Sequence, residues 1–292
     1  MGFSLSAING AGLPAVEGSL FPFCRQELVL GRFNHITLLM RLWRTRRHWN
    51  RLARRDPFWA VLTAPDKQSN RWQIGEFFAT GARSVDAEIA QVLAQYPALR
   101  RGEALDFGCG VGRLTQALAR HFDKVTGVDI SEEMLSLARK FNSAGDRVRF
   151  LHNARADLRL FADNQFDFVY SMITLQHMEP VYARAYIGEF VRVCAPGGAI
   201  FFQVPAQRPI YAPLERFRFS LWPPTVWKRI NRIARQRMEH WFPRDPVIEM
   251  YALTQEEVAT LLRAAGADVI RSDRYDATGA TLPSYAYLAR KP

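Results

Sequence analysis

Long apolar runs, paired cysteines and internal repeats are all missing from this sequence of 292 residues. Its three cysteines, Cys24, Cys109 and Cys194, form no Cys-x-x-Cys pair and have no histidine at metal-ligand spacing, which excludes a disulfide framework and gives a zinc site no support. The apolar stretch Leu28 to Trp43 is interrupted by charges and is shorter than the roughly 20 residues that span a bilayer. Residues 1–23 lack the basic start of a secretory signal. We therefore expect a cytoplasmic protein without a membrane-spanning helix, possible peripheral membrane contact aside.

The basic residues are concentrated in two segments of a chain whose formal net charge is +11. Residues 25–55 hold nine arginines against one acid, and residues 208–244 hold nine lysines or arginines against two, with tryptophans and leucines between them. Such segments can lie on an anionic membrane surface, line a pocket for an anionic or lipid-linked small molecule, bind RNA phosphates, or form packed helices with a solvated basic face. We favour the solvated face, then the membrane surface, and RNA least.

From about Glu103 onward, short apolar runs alternate with stretches of helical period, which predicts successive βα units and a mostly parallel sheet. Before residue 100 the chain predicts helices. The predicted strands are Ala104 to Phe107, Lys124 to Val128, Val148 to His152, Phe166 to Ser171, Ala199 to Val204, Asp268 to Arg274 and Ser284 to Ala289. The predicted helices are Val85 to Gln95, Arg113 to His121, Glu132 to Phe141, Val181 to Val193 and Gln255 to Ala265. The run Ala195-Pro196-Gly197-Gly198 is expected to break the chain before the fifth strand.

A glycine-rich turn is the sharpest feature, because the first predicted strand runs directly into Gly108-Cys109-Gly110-Val111-Gly112 and then into a helix. Glycines let the backbone bend tightly and let a ligand approach atoms that a Cβ would cover. The second strand ends at Asp129, seventeen residues after the turn, where a carboxylate can accept hydrogen bonds from ribose hydroxyls. Together these features predict a site for an adenosyl nucleoside.

The spacing of the turn favours S-adenosylmethionine over NAD. An NAD site has Gly-x-Gly-x-x-Gly with a pyrophosphate at the helix N-terminus, whereas the third glycine here comes one residue early. Asp106, two residues before the first glycine, would repel a pyrophosphate and attract an ammonium group. S-adenosylmethionine has an amino acid ammonium and no phosphate.

Residues 103–204 resemble the class I S-adenosylmethionine-dependent methyltransferases. The resemblance is carried by LDFGCGVG at the turn, VTGVDIS at the second strand, FDFVYSMITLQHM at the fourth and CAPGGAIFFQVP at the fifth. It implies an α/β fold with a Rossmann-like, seven-stranded, mostly parallel sheet, a reversed last strand and helices on both faces. Residues 1–84 would be a helical, basic N-terminal extension and lid, and residues 85–292 the methyltransferase domain, with 205–253 as an insert on the acceptor side.

The same resemblance assigns cofactor contacts. Asp106 and the turn glycines would hold the methionine end, Asp129 the ribose, and Ile130 the adenine face. The family often has Gly-Asp-Ala after the third strand, but this chain has His-Asn-Ala-Arg-Ala-Asp, so either Asn153 or Asp157 would contact the adenine amino group. The full set expected at the cofactor is Asp106, Gly108, Cys109, Gly110, Gly112, Asp129, Ile130, Asn153, Asp157 and Ser171.

Structural roles compete with several of these assignments. Gly112 could simply permit close packing of helix on sheet, and Asp129 could cap the following helix, although Ser131 competes for that position. Cys109 is better explained as a small residue that fills the turn than as a nucleophile.

His177 is the candidate catalytic base, in a Thr-Leu-Gln-His-Met segment that resembles one found in small-molecule and sugar O-methyltransferases. Its alternative is a packing role under the helix that follows. Trp72 and Phe77, just ahead of the first motif, could shield the cofactor's sulfonium as a lid, or they could only bury the N-terminal helices on the core.

These features predict an enzyme that transfers a methyl group from S-adenosylmethionine to a small-molecule acceptor, with oxygen slightly preferred over nitrogen because His177 could act as base. The alternatives are methylation of a lipid, a lipid-linked saccharide or a quinone precursor at a membrane surface, or a non-catalytic partner protein that binds the cofactor. DNA methylation is disfavoured, because Asn or Asp before Pro-Pro-aromatic is missing after the fourth strand. Hydrolase and nucleotide-hydrolysing motifs are missing as well.

Overall fold

The structure is a computed structural model that describes residues 33–206, 250–275 and 283–292, with side chains from Arg41 onward. The chain divides into two compact units, residues 1–41 and 42–292. The first unit contributes only the start of one helix to the described residues, so everything below concerns the second. Cys24, the basic segment 208–244 and most of the expected insert 205–253 lie outside the described residues.

In the described part of the chain, seven strands form one sheet in the order β3-β2-β1-β4-β5-β7-β6. β7 runs antiparallel to both neighbours, and the other described pairs are parallel. The strands are β1 (Glu103–Phe107), β2 (Lys124–Asp129), β3 (Val148–His152), β4 (Phe166–Ser171), β5 (Cys194–Pro205), β6 (Asp268–Arg274) and β7 (Ser284–Arg290). The helices are α1 (Phe33–Arg55), α2 (Pro57–Val61), α3 (Ile74–Gln95), α4 (Arg113–Leu118), α5 (Glu132–Lys140), α6 (Pro180–Val193) and α7 (Gln255–Ala264). The seven-stranded, mostly parallel sheet with a reversed last strand is confirmed.

Helices cover both faces of the sheet, and β1 shows why. The Asp106 side chain accepts a hydrogen bond from Thr115 of α4, while the next residue, Phe107, packs its ring 4.3 Å from that of Tyr186 in α6. Successive residues of a strand point to opposite faces. The sheet is therefore sandwiched between α4 on one side and α6 on the other.

The expected break before the fifth strand is wrong, because β5 begins at Cys194 rather than Ala199. Cys194 already pairs with Phe166, and the register then shifts before the next pair, Phe168 with Ala199. The Pro-Gly-Gly residues are therefore accommodated within the strand as an irregularity, a common use of glycine in sheets. From the sequence alone such a site is predicted to be a turn. The strand pairing that accommodates the extra residues is made with β4, which is distant in sequence.

Helix α3 is longer than expected and begins at Ile74 rather than Val85. Its buried face continues back through Gly81 to Phe77 at helical spacing. The backbone of α4 approaches α3 closely at Gly81, because an added Cβ there would lie 2.5 Å from the carbonyl oxygen of Arg113. The domain boundary expected after residue 84 therefore falls inside a helix, and the second compact unit begins at Leu42.

An apolar cluster joins the N-terminal helices to α3 and α5. It contains Leu52, Ala53, Ala60, Trp72, Phe77, Val111 and Met134, all buried. Trp72 donates from Nε1 to the carbonyl of Leu62 at 3.2 Å, and its ring lies edge-on to Phe77 at 5.6 Å. The cluster holds α1 and α2 close to the carboxyl ends of the strands. No helix within the described residues is both long and apolar enough to cross a bilayer.

Candidate active site

A cavity of about 1040 Å³, counting its open mouth, lies at the carboxyl ends of β1, β2 and β4. This edge is where parallel α/β sheets bind their ligands. Of the residues expected at the cofactor, the cavity is lined by Gly108, Cys109, Gly110, Asp129, Ile130 and Asn153, and it is also lined by His177.

The first two glycines of the turn have a backbone conformation that residues with a side chain rarely adopt. Gly108 and Gly110 have φ values of +77° and +53°, in the region that favours glycine. A Cβ on Gly108 would collide with the side chain of Thr174, and a Cβ on Gly110 would lie 3.0 Å from Val61. The amide nitrogen of Gly108 donates to the carbonyl of Val128 at 2.8 Å, which ties the turn to β2.

Gly112 has a different role from the other two. It also has a positive φ, +80°, but it does not line the cavity. A Cβ there would lie 2.8 Å from Cζ of Phe150 and 3.4 Å from Cβ of Ala138. These distances support the alternative role, close packing where α4 begins, and the expected cofactor contact stays a prediction.

Asp129 connects the end of β2 to the glycine turn. Its Oδ2 accepts from the amide of Gly110 at 2.9 Å, and its Oδ1 accepts from the amide of Ser131 at 2.8 Å. Burial raises the pKa of this carboxyl, and the backbone hydrogen bonds oppose that rise. Ser131 caps α5, accepting from the amide of Met134. The carboxylate therefore faces the cavity beside the turn and is not the helix cap.

Asp106 is buried and is not among the residues that line the cavity, and its expected contact with the methionine end stays a prediction. It is 1% exposed, and its Oδ2 accepts from Oγ1 of Thr115 at 2.6 Å. Burial raises the pKa of Asp106 to about 7, against the lowering effect of Thr115 and of the Arg113 charge. The alternation of β1 explains the position, because it turns this side chain toward α4.

Two further residues expected at the cofactor are also outside the cavity lining. Ser171 is fully buried and donates from Oγ to the carbonyl of Phe107 at 3.0 Å, away from the cavity lining. Asp157 does not line the cavity, and its carbonyl accepts from Nδ2 of Asn153 at 2.7 Å. Of the two candidates for the adenine contact, the structure brings only Asn153 to the cavity.

A buried charged cluster that the sequence analysis missed lies under the turn. Arg113, which also lines the cavity, donates from Nη1 to Oγ1 of Thr80 at 3.2 Å. Glu88 accepts from the hydroxyls of Tyr170 and Tyr275, and burial raises the Glu88 pKa while the charge of Arg113 opposes that rise. The one available sequence signal was an arginine directly after the third glycine.

The N-terminal helices supply part of the cavity lining, and the two residues expected in a lid are not among the lining residues. Leu42, Thr45 and Trp49 of α1 line the cavity, whereas Trp72 and Phe77 do not. The latter two belong to the apolar cluster that buries the N-terminal helices. Trp49 could have been picked out only as one aromatic among many in the basic segment 25–55.

Helix α1 is held in place by polar contacts with α5. Ser131 donates from Oγ to Oδ1 of Asn50 at 2.7 Å, and Arg54 forms an ion pair with Glu133. The indole of Trp49 therefore sits edge-on to the imidazole of His177, with ring centroids 5.3 Å apart.

His177 and Cys109 differ in what they can do chemically. His177 lines the cavity, and its Nε2 lies 3.1 Å from Nε2 of Gln176. Burial raises the pKa of the Cys109 thiol well above its ordinary value, so the thiolate that a nucleophile needs is disfavoured. Cys109 therefore fits the alternative of a small residue that fills the turn. The described residues contain no group of three His, Cys, Asp or Glu side chains that could hold a metal ion.

Comparison with known proteins bears on this site directly. A family model described as a methyltransferase domain matches residues 104–198, which include the turn, Asp129, Asn153 and His177. Residues 104–198 are a methyltransferase domain. The domain's fold is shared with the magnesium protoporphyrin IX methyltransferase of Synechocystis PCC 6803, solved with bound SAH, at a TM-score of 0.56 and 17% identity over 86% of this chain and 99% of that one.

Two curated relatives are more similar to this chain in sequence. A ubiquinone biosynthesis O-methyltransferase of Aromatoleum aromaticum is 35% identical over 100 residues, covering 34% of this chain and 42% of the relative. A malonyl-[acyl-carrier protein] O-methyltransferase of Pectobacterium atrosepticum is 34% identical over 140 residues, covering 46% of this chain and 53% of the relative. The chain thus spans about half the length of these relatives.

Proposed function

We propose that this protein transfers a methyl group from S-adenosylmethionine to a small-molecule acceptor. The observation that carries the proposal is one cavity lined by the Gly108 to Gly110 turn and Asp129 together with His177 and Trp49. When bound, S-adenosylmethionine supplies an electrophilic methyl group on a sulfonium. Aligning the acceptor atom and excluding water are then the main tasks of the protein.

The residues of the cavity divide these tasks. The glycine turn lets the backbone approach the methionine end, and the carboxylate of Asp129 accepts hydrogen bonds from the ribose hydroxyls. Ile130 packs on the adenine face, and Asn153 contacts the adenine edge. Leu42 and Trp49 cover the cavity and exclude water.

We favour an oxygen acceptor on a largely apolar molecule. Met172, Met178 and Tyr182 line the cavity near His177, which suits an aromatic or other apolar body. An imidazole at the wall can accept the proton that a hydroxyl or carboxylic acid loses on methylation. Both sequence relatives are named as O-methyltransferases, one of them of ubiquinone biosynthesis, which supports the same preference.

Calorimetric titration with S-adenosylhomocysteine, with NAD as control in the same buffer, tests the cofactor assignment. We expect micromolar binding of S-adenosylhomocysteine and no heat with NAD. A folded protein that binds neither molecule would contradict the proposal and favour the non-catalytic alternative. An acceptor screen with phenols, quinone precursors and carboxylic acids follows a positive result.

The His177→Ala substitution tests the catalytic assignment. We expect turnover to fall by about 100-fold or more, since general base catalysis contributes roughly that much, while affinity for S-adenosylhomocysteine changes little. His121→Ala is the matched control, because His121 pairs with Asp86 outside the cavity. Equal turnover in the His177 variant and the parent protein would remove His177 from the chemistry.

We further propose that α1 brings the enzyme to an anionic membrane surface. Trp43 is 47% exposed, the guanidinium of Arg47 lies 5.3 Å from its ring centroid, and Arg51 is exposed further along the same helix. Spacings of four and eight residues place these side chains on one side of a helix. An interfacial tryptophan beside arginines is typical of helices that bind anionic lipid headgroups.

Vesicle sedimentation tests this surface. We expect the protein to sediment with phosphatidylglycerol-containing vesicles but not with pure phosphatidylcholine, and salt to weaken the binding. Arg47→Glu combined with Trp43→Ala should reduce binding about tenfold, whereas Arg263→Glu on α7 should not. Failure to bind either vesicle type at low salt would leave the basic residues of α1 as a solvated face.

A further inference from the structure

A buried arginine lines the cavity beside the glycine turn. Arg113 begins α4 directly after Gly112, is 5% exposed and contributes to the cavity lining. Among the described residues that line this cavity, it is the only lysine or arginine. A negatively charged group of a molecule bound there therefore has one cation to pair with.

The described residues do not satisfy the guanidinium of Arg113. Its Nη1 donates to Oγ1 of Thr80 at 3.2 Å, which is the one hydrogen bond of this side chain within the described part of the protein. Its Nε is buried without an acceptor there, and its Nη2 also lacks one but is not fully enclosed. Buried charges in proteins are normally paired, because their desolvation is costly. The arginine therefore lacks an anionic partner.

The two acids nearest to this arginine in the buried cluster have other partners. The carboxylate of Glu88 accepts from the hydroxyls of Tyr170 and Tyr275, and Asp106 accepts from a hydroxyl of α4. Burial lowers the pKa of Arg113, and the charges of Glu88 and Asp106 oppose that change. These acids favour the charged guanidinium without forming an ion pair with it, so it can still pair with an anion of a ligand.

Helix α3 fixes the side chain of Arg113 in place. A Cβ on Gly81 would lie 2.8 Å from Cγ of Arg113, so the glycine lets the arginine pass close to the helix. The ring centroid of Phe77 lies 5.9 Å from Cζ of the guanidinium, and Thr80 accepts its hydrogen bond. A side chain that is already ordered loses little entropy when a ligand binds. The cation is therefore preorganised for binding.

We propose that Arg113 binds the carboxylate at the methionine end of the cofactor and makes the enzyme specific for a cofactor with an intact amino acid end. The inference deepens the proposed function and rests on it for the identity of the cofactor. The carboxylate is the only anionic group of S-adenosylmethionine, and Arg113 directly follows the turn expected at the methionine end. A singly charged carboxylate also suits the cavity better than a phosphate, because the carboxylate of Asp129 lines the same cavity.

The first test compares two ligands by calorimetric titration of the full chain. One is S-adenosylhomocysteine, and the other is 5′-(3-aminopropylthio)-5′-deoxyadenosine, which keeps the thioether and the ammonium but has no carboxylate. We expect the parent protein to bind S-adenosylhomocysteine about 30-fold more tightly, since hydrogen bonds to charged groups contribute roughly this much. Equal affinities would overturn the inference and leave the proposed function in place. A folded protein that binds neither ligand would overturn both.

Arg113→Met removes the charge and keeps an unbranched side chain. We expect the preference for S-adenosylhomocysteine to fall from about 30-fold to about threefold or less, whereas the affinity for the analogue without carboxylate changes little. Arg149→Met is the matched control, because Arg149 also donates to a threonine hydroxyl, Oγ1 of Thr126 at 2.7 Å, and does not line the cavity. It should keep the parent preference. Urea unfolding of each variant shows whether the domain remains folded.

Arg113→Lys provides a second variant, because lysine keeps the charge but lacks the planar guanidinium. Its preference for S-adenosylhomocysteine should fall between those of the parent and the methionine variant. A preference that stays at the parent value in Arg113→Met would overturn the assignment of Arg113 to the cofactor carboxylate. Equal losses of affinity for both ligands in the two Arg113 variants would also overturn it, because they would indicate a structural role for the arginine.

Discussion

Asp129→Ala is expected to weaken binding of S-adenosylhomocysteine by about 100-fold or more, which corresponds to about 2.7 kcal/mol of binding free energy. Two losses add together. The ribose hydroxyls lose their acceptor, and the amides of Gly110 and Ser131 lose the carboxylate that fixes the turn next to β2. Calorimetric titration measures the change, and circular dichroism shows whether the domain stays folded.

Two further variants make the Asp129 result specific. Asp129→Asn keeps one oxygen acceptor, so its affinity should fall between those of the parent and the alanine variant. Asp157→Ala should retain affinity, because Asp157 does not line the cavity. Wild-type affinity in Asp129→Ala would remove the ribose assignment, and a large loss in Asp157→Ala would restore Asp157 as the adenine contact.

Gly108→Ala is expected to abolish cofactor binding and to lower the free energy of unfolding by about 2 kcal/mol or more. The φ of +77° disfavours any side chain, and the new Cβ would collide with Thr174 across the turn. Forcing atoms into a packed site costs roughly 1–3 kcal/mol, in addition to the backbone strain. Urea unfolding and calorimetric titration measure the two effects.

Gly188→Ala is the matched control for the glycine result. Gly188 lies within α6, and an added Cβ would meet nothing within 4 Å. Alanine in a helix interior is favoured over glycine by roughly 0.5–1 kcal/mol, so this variant should be more stable and bind normally. If both alanine variants behaved like the parent protein, the steric account of the turn would be wrong.

The sequence predicted most strands to within a residue because each is a short apolar run bounded by polar or turn residues. The prediction from sequence failed where contacts between residues distant in sequence set the bounds of a strand or helix. The start of β5 depends on the pairing of Cys194 with Phe166, and the length of α3 depends on the approach of Gly81 to Arg113. Neither contact leaves a local signal.

The site was predictable to a similar extent. The motifs located the loops at the strand ends, so Gly108, Asp129 and His177 were found at the cavity. They did not show which way each side chain turns, and the hydrogen bond that buried Asp106 accepts from Thr115 of α4 was not foreseen. Nothing in the sequence distinguished Trp49, which lines the cavity, from Trp72, which does not.

The position of β7 has a consequence for how this protein is made. β7 is the last of the described strands along the chain, yet it lies inside the sheet between β5 and β6. A ribosome therefore synthesises β1 to β6 before the strand that joins β6 to the rest exists, and pairing between strands distant in sequence is intrinsically slow to form. Until that strand emerges, the open edge of β5 is exposed to other chains. Ser284, whose hydroxyl accepts from the buried side-chain amide of Gln203 in β5, arrives with the same strand, so the sheet and this buried hydrogen bond are completed in one late step.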